Sequence, residues 1–265
     1  MCRYFAANEF LLPLGEKTYI MSILNLTPDS FSDGGKWNNK NIAIKRALQM
    51  VEEGADILDI GAQSTRPGYI QISAEEEINR LKDILPQIRK QIDIPISIDT
   101  FYPEVAEYAL KEGVDIINDI TGFESEKMME LASNCSCGLI VMHNKVSEDI
   151  KAFFERKLKE LTDRGIKEKR ICFDPGIGFS KTYEQNLYDL KNIKKFKVGP
   201  CAMLVGASRK RVIGAPCGNP PFCERMPGTI AAHTIAIVGG ADIIRVHDVK
   251  ESVQAAKVAD EILRY

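Results

Sequence analysis

Short apolar runs rich in β-branched residues recur along this chain, separated by longer amphipathic stretches. The runs at 19–24, 56–60, 95–98, 115–118, 138–142, 170–173, 202–205 and 242–246 predict eight strands. Between them the apolar positions take helical spacing. Ala74, Ile78, Leu81, Leu85, Ile88 and Ile92 fall on one helix face. Ser73 with Glu76 predicts a capping box at the start of that helix, and Pro86 inside it predicts a kink. Pro103 suits the first turn of the next helix and Gly113 its end.

Eight βα units in 265 residues average about 33 residues each, the size expected of a (β/α)₈ barrel. Apolar strands flanked by helices also fit a parallel sheet buried on both faces. The alternative, an open doubly wound sheet, usually carries Gly-x-Gly-x-x-Gly after its first strand, and none stands there. The first 18 residues read as a hairpin turning at Pro13-Leu14-Gly15-Glu16, placed to plug the barrel bottom. The expected α/β architecture is a single domain over 1–265, a TIM (β/α)₈ barrel with a short N-terminal hairpin.

Composition narrows the functional classes. With 45% apolar and 27% charged residues the chain reads as a soluble globular protein. A net charge of −2 without a basic excess argues against a nucleic-acid partner. No apolar run is long enough for a membrane span, and the first 14 residues, with Arg3 and Glu9, lack a signal-peptide pattern. Seven cysteines with no Cys-x-x-Cys spacing read as free thiols, as expected in a reducing cytoplasm.

Each predicted strand ends in polar residues. They are Asn25; Asp59 and then Gln63-Ser64-Thr65-Arg66; Asp99-Thr100; Asn118-Asp119; His143-Asn144; Asp174; Ser208-Arg209-Lys210; and Arg245, His247 and Asp248. In a barrel these ends share the face that carries the active site. One polar strand end is as readily a simple terminus as a ligand, but a full succession of carboxylates, amides, an imidazole and cations points to a binding site. Arg245 and His247 stand two apart on one strand and face the same way, with Val246 turned to the helix layer. A cation and an imidazole so placed suit a phosphate, the plainer alternative being an Arg245–Asp248 surface pair. Asp99 and Asp174 suit the guanidine-like edge of a heterocycle, or a developing cation, unless they only cap helices.

The loops add weaker signals. Asp33-Gly34-Gly35, and Gly176 and Gly178, mark tight or mobile loops. Thr65-Arg66-Pro67-Gly68 is a turn carrying a cation, suited to a lid over an anionic substrate. Ser208-Arg209-Lys210 is expected to begin a helix, whose N-terminus favours a carboxylate or phosphate. His143, His233 and His247 are too scattered for a zinc site. The metal expected is Mg²⁺, held by few protein oxygens and by substrate phosphates, with Asn25 the candidate ligand.

The segment from Asn25 to Gly35, Asn-Leu-Thr-Pro-Asp-Ser-Phe-Ser-Asp-Gly-Gly, resembles the first signature of the dihydropteroate synthases. Asp59-Ile-Gly-Ala-Gln-Ser-Thr-Arg-Pro-Gly68 resembles the second. The match continues through Ile98-Asp99-Thr100, Asn118-Asp119-Ile120, Met142-His143, Asp174-Pro-Gly-Ile-Gly-Phe179, Ser208-Arg209-Lys210 and Arg245-Val-His-Asp248, in order over nearly the whole chain. The resemblance implies a TIM barrel, a homodimer, and Mg²⁺-assisted transfer of a dihydropterinylmethyl group from its pyrophosphate to p-aminobenzoate in folate synthesis. It implies that Asn25 binds the metal and that Arg245, His247, Thr65 and Arg66 hold the pyrophosphate. Asp99, Asn118, Asp174 and Lys210 would hold the pterin, with Met142 against its ring. Pro67, Phe179 and Ser208 would border p-aminobenzoate, the pocket for which sulfonamides would compete.

The expected chemistry is dissociative. Asp99 would stabilise a pterin methyl cation, with Lys210, Arg245 and His247 as its catalytic partners, and no covalent enzyme intermediate or general base is needed. The loops at 25–38 and 61–70, with Asp33, Gly34 and Gly35, would close and exclude water. Two positions depart from the family pattern: Gln63 stands where Glu is common, and Ser180 replaces a frequent glycine, which should stiffen the sixth loop. The rivals are a pterin-dependent methyltransferase, which needs no pyrophosphate site, and a silent pterin-binding barrel, which should have lost one of Asn25, Asp99, Lys210 or Arg245. All four are present.

Overall fold

The computed structural model describes residues 2–26, 36–63, 70–145 and 147–265. The chain opens with an antiparallel hairpin, β1 (Arg3–Ala7) and β2 (Phe10–Leu14). Strands and helices then alternate: β3 (Tyr19–Asn25), α1 (Lys36–Glu52), β4 (Ile57–Gly61), α2 (Ala74–Leu81), α3 (Leu85–Arg89), β5 (Ile96–Asp99), α4 (Pro103–Lys111), β6 (Ile116–Asp119) and α5 (Glu126–Ser133). The second half runs β7 (Gly138–Met142), α6 (Ile150–Asp163), β8 (Ile171–Asp174), α7 (Tyr183–Lys191), β9 (Ala202–Val205), α8 (Arg211–Gly214), α9 (Met226–Val238), β10 (Ile243–Val246) and α10 (Val249–Arg264). Eight parallel strands close in the order β10-β3-β4-β5-β6-β7-β8-β9. The expected eight strands are all present, several of them starting and ending one residue later than the apolar runs.

Period-two alternation divides each strand between two cores. Met21, Ile57, Ile116, Ile140, Cys172, Ala202, Leu204 and Ile243 fill the barrel interior. Ile20, Leu58, Ile96, Ile98, Ile117, Leu139, Phe173, Met203, Ile244 and Val246 pack under the helices. Val246 therefore does face the helix layer. Counting on by two from the interior set, and from the buried Ser97 of β5, reaches Asn25, Asp59, Asp99, Asn118, Met142, Asp174, Gly206 and Arg245. The interior apolar layer is the pedestal on which the polar strand ends stand.

The hairpin plugs the barrel bottom as expected, but its turn lies elsewhere. Phe5, Ala7 and Leu14 join the interior core, and Phe5 is fully buried. The turn is Asn8-Glu9, with Ala7 opposite Phe10, and Pro13 is a strand residue opposite Tyr4. Asn8 adopts φ 52°, which its side chain tolerates, and donates its N–H to Ser136 O and its amide to Val114 O and Asp115 Oδ1. Pro13 is accommodated because a two-stranded ribbon has only edges.

Two helix expectations also change. Pro86 does not kink one helix; the chain breaks after Leu81, and Pro86 occupies the first turn of α3. The missing N–H falls where no intrahelical partner exists. Ser73 caps α2 by accepting from Glu76 N at 3.2 Å, yet the Glu76 carboxylate turns to Arg80 instead of closing a capping box. The reciprocal box forms at Thr182 and Gln185, at the start of α7. Pro103 and Gly113 stand as expected, Gly113 just beyond α4 with φ +86°.

Candidate active site

The upper interior layer brings six of the predicted residues together. Arg245, on β10, sends Nε to Asp59 Oδ2 at 2.6 Å and Nη2 to Asp99 Oδ2 at 2.7 Å. Asn118 lies with its amide 3.4 Å from Asp59 Oδ2. Asn25 and Asp99 flank Gly61: a Cβ there would lie 3.8 Å from Asn25 Oδ1 and 3.8 Å from Asp99 Oδ2. On the far side Asp174 accepts the Gly176 N–H at 2.8 Å, and Gly206 leaves room between Asp174 and Arg245. Met142 is buried at the end of β7. Neither aspartate caps a helix: α4 starts behind Tyr102, and α7 behind Thr182.

Lys210 reaches the same centre along a different path. Its ammonium donates to Ile177 O and stands 4.5 Å over the Phe179 ring, so the loop after β8 and the end of β9 form one wall. Gly178 permits this, since a Cβ there would meet Lys210 Cδ at 2.8 Å. Gly176, at φ +69°, packs so close that a Cβ would sit 2.1 Å from His143 O. Ser180 in the same loop holds φ 48° and donates to Asn144 Oδ1 at 2.7 Å, a geometry that glycine adopts more easily. Gln63 is buried and accepts the Ile72 N–H at 2.8 Å, a role an amide oxygen fills without charge.

The β9 and β10 ends correct one expectation and dismiss one alternative. Ser208 does not begin a helix; α8 starts at Arg211 with Lys210 as its N-cap. Ser208 is buried and meets His247 through Oγ, 2.9 Å from Nδ1. Arg245 does not pair with Asp248, which binds Arg209 instead through Nε at 2.9 Å. The His247 ring also packs edge-on to Phe222. Asp119, named with Asn118 at its strand end, has the outward parity and accepts the N–H groups of Thr121 at 2.7 Å and Phe123 at 3.0 Å, a structural turn. The predicted loop residues Asp33, Gly34, Gly35, Thr65, Arg66 and Pro67 lie outside the described residues.

Charge and burial oppose each other across this cluster. Burial pushes the Asp99 carboxyl up to about 7, against the pull of Arg245 and with Asp59 adding to the rise. Burial raises Asp174 too, opposed by Lys210 and by the Gly176 N–H. Burial lowers Lys210 to about 8, while Asp174 holds it up. Burial alone would lower Arg245, but Asp59 and Asp99 more than reverse it, so the guanidinium stays charged. Asp99 Oδ1 has no hydrogen-bond partner among the described residues. Such acids, cations and amides converging on one mouth can hold a planar donor-rich heterocycle beside an anion.

Asp59 is the residue that the sequence reading named at a strand end but did not place in the site. It is wholly buried and neutralises Arg245. Its signal was available: it stands two before Gly61 in an apolar strand, on the parity of Asn25 and Asp99. Outside this cluster a cavity of about 470 Å³ opens between the loops after β7 and β8, lined by His143, Asp149, Lys181, Tyr188 and Asp189.

A closed (β/α)₈ barrel with acids, amides and cations at its C-terminal mouth defines the class of a barrel enzyme with an anion and heterocycle site. The sequence model for pterin binding enzymes matches residues 21–247, and the chain belongs to that family. Among its relatives, the dihydropteroate synthase of Clostridium beijerinckii is 46% identical over 260 residues, covering 95% of this chain and 96% of that protein. The dihydropteroate synthase of Clostridium difficile, solved in the presence of pteroic acid, superposes with a TM-score of 0.91 at 42% identity, over 95% of this chain and 99% of that one. That of Xanthomonas albilineans with 4-aminobenzoic acid gives 0.93 at 32% identity over the full length of both chains.

Proposed function

We propose that this chain joins 6-hydroxymethyl-7,8-dihydropterin pyrophosphate to p-aminobenzoate, releasing pyrophosphate and 7,8-dihydropteroate. It is an alkyl-group transferase of the dihydropteroate synthase type. The observation that carries the mechanism is the Asp99 carboxylate: one oxygen holds Arg245 and the other lacks a partner among the described residues. An acceptor left open in a buried site is placed to face positive charge as it develops on the pterin methylene. Asn118, Asp174 and Lys210 hold the pterin edge, and Met142 packs on its ring. Phe179 and Ser208, with Pro67, border p-aminobenzoate. The aromatic amine is neutral, so its attack needs no general base.

Arg245 and His247, with Thr65 and Arg66 from the second loop, take the pyrophosphate. Closure of the loops carrying Asp33, Gly34, Gly35 and Arg66 would keep water from the cation. Asn25 Oδ1 and Asp99 Oδ2 are hard donors beside Gly61, a pair that suits Mg²⁺. When bound, Mg²⁺ would take up charge on the leaving pyrophosphate.

The partner proposed is a second copy of this chain. Leu187, Tyr188, Ile235, Val238, Val258 and Ile262 are exposed on α7, α9 and α10, which pack side by side. Contiguous apolar surface of this kind marks association sites. Among the described residues no helix is long and apolar enough to cross a membrane. The cysteines are free in the structure, which fits the cytoplasm as the place of action.

The deciding experiment measures pyrophosphate release with Mg²⁺ and the dihydropterin pyrophosphate, with and without p-aminobenzoate. Release that requires p-aminobenzoate and yields dihydropteroate is expected. Folded protein that binds pterin yet releases nothing would overturn the reading. Light scattering of the wild type against Ile262→Glu tests the dimer, which the variant should weaken.

A further inference from the structure

At the barrel bottom, away from the catalytic mouth, Cys135 and Cys137 bracket the turn from α5 into β7. Their sulfurs lie 3.0 Å apart. That is about 1 Å more than a covalent disulfide bond. Arg170, just before β8, spans the pair: Nε donates to Cys137 O at 2.8 Å, and Nη2 donates to Ala132 O at 2.9 Å while lying 3.7 Å from Cys135 Sγ. Cys135 is partly exposed and Cys137 buried. The residue between them, Ser136, holds the hairpin turn: its carbonyl accepts the Asn8 N–H at 3.1 Å and its hydroxyl donates to Asn8 Oδ1 at 2.9 Å.

We propose that Cys135 and Cys137 are a reversible oxidation site, closed to an intrachain disulfide by a hydroperoxide, with Cys135 attacking and Cys137 resolving. The Cys137 thiol beside it holds Cys135 down to about 6 despite burial, with help from Arg170. Cys137 is pushed the other way by the same contact and by burial, which suits it to wait as the thiol. Burial raises Cys172 and Cys201, which suits them to stay inert.

The steps balance. The Cys135 thiolate attacks one peroxide oxygen, the O–O bond breaks, and the other oxygen leaves and takes a proton as alcohol or water. Cys135 is now a sulfenic acid. The Cys137 sulfur attacks it, an S–S bond forms, the S–O bond breaks, and hydroxide leaves as water with the Cys137 proton. Two thiols and one hydroperoxide give one disulfide, one water and one alcohol, or two waters from hydrogen peroxide. The five-residue strand β7 separates this site from Met142 at the mouth, about 16 Å of extended chain. Oxidation would therefore constrain Ser136 and the hairpin it holds without touching the substrate groups.

The test uses the full chain with the exposed Cys2, Cys217 and Cys223 replaced by serine. It is treated with one equivalent of hydrogen peroxide, alkylated with iodoacetamide and digested without reductant. The peptide containing both cysteines should escape alkylation, lose the mass of two hydrogens, and regain two alkylation sites after reduction. Cys137→Ala in that background should leave Cys135 trapped by dimedone as a sulfenic acid, more than tenfold above the labelling of Cys137 in Cys135→Ala. A pair alkylated as fully after peroxide as before, or one that goes to sulfinic acid without a disulfide, overturns the proposal. The peptide map of the parent chain decides the matter even where a single variant fails to fold.

Discussion

Arg245 Nη2 lies 2.5 Å from Asp59 Oδ2, so the last strand of the barrel is tied to the second across the interior. Asp59 is wholly buried, while Arg245 keeps part of its side chain open at the mouth. Replacing one partner of such a pair leaves the other under-compensated, at a cost of about 3 kcal/mol. Here Asp99 retains part of the compensation. Asp59→Asn is expected to lower stability by about 2 kcal/mol in urea unfolding and to lower kcat/KM for the pterin pyrophosphate about 100-fold, equivalent to about 2.7 kcal/mol. An unchanged kcat/KM would remove Asp59 from the site.

The pH profile should be a narrow bell. Asp99, at about 7, must be ionised to face a cation, so kcat/KM falls about tenfold per unit as pH drops below that value. Lys210, at about 8, must be protonated to donate, so kcat/KM falls as pH rises past it. Asp99→Asn should abolish the acid limb and lower kcat by about 100-fold or more, with pterin still bound in calorimetry.

Glu77, on α2, is fully buried. Burial pushes it up to about 7 from 4.5, with Thr100 and Arg80 pulling the other way. The folded state therefore holds a proton that the unfolded chain gives up between these values. Its contribution is fully present below 4.5 and is lost as pH rises through 7. Glu77→Gln should stabilise the protein by about 2–3 kcal/mol at pH 8 and have little effect at pH 5. Urea unfolding at the two pH values checks it, and equal effects would sink the assignment.

Phe5 anchors the hairpin in the barrel bottom, with Gly138 so near that a Cβ there would lie 2.8 Å from the phenyl ring. Phe5→Ala should cost about 3–5 kcal/mol through the cavity it leaves. Turnover at the opposite mouth should stay within about twofold at a temperature where the variant is folded.

Much of this was legible locally. The eight strands announce themselves as apolar runs, and period two carries the inward parity from Met21 to Asn25 and from Ile57 to Asp59. Helix starts at Pro103 and Ser73 follow from single-residue chemistry. The hairpin turn was not legible, because Pro13-Leu14-Gly15-Glu16 has stronger turn propensity than Asn8-Glu9. Contacts from Asn8 to Val114, Asp115 and Ser136 override that propensity. The break before Pro86 likewise depends on where the chain must turn to start β5.

The sequence by itself determined the barrel, the face on which polar strand ends collect, and the family, because alternation and motif order are properties of neighbouring residues. Only the tertiary structure decided which of those groups neutralise one another. Asp59 and Arg245 stand 186 positions apart, and closure of β10 against β3 is what brings them together. The protonation tendencies of Asp99, Lys210 and Glu77 were also settled there. They arise from loss of water around each group, and that loss exists only once the layers have packed.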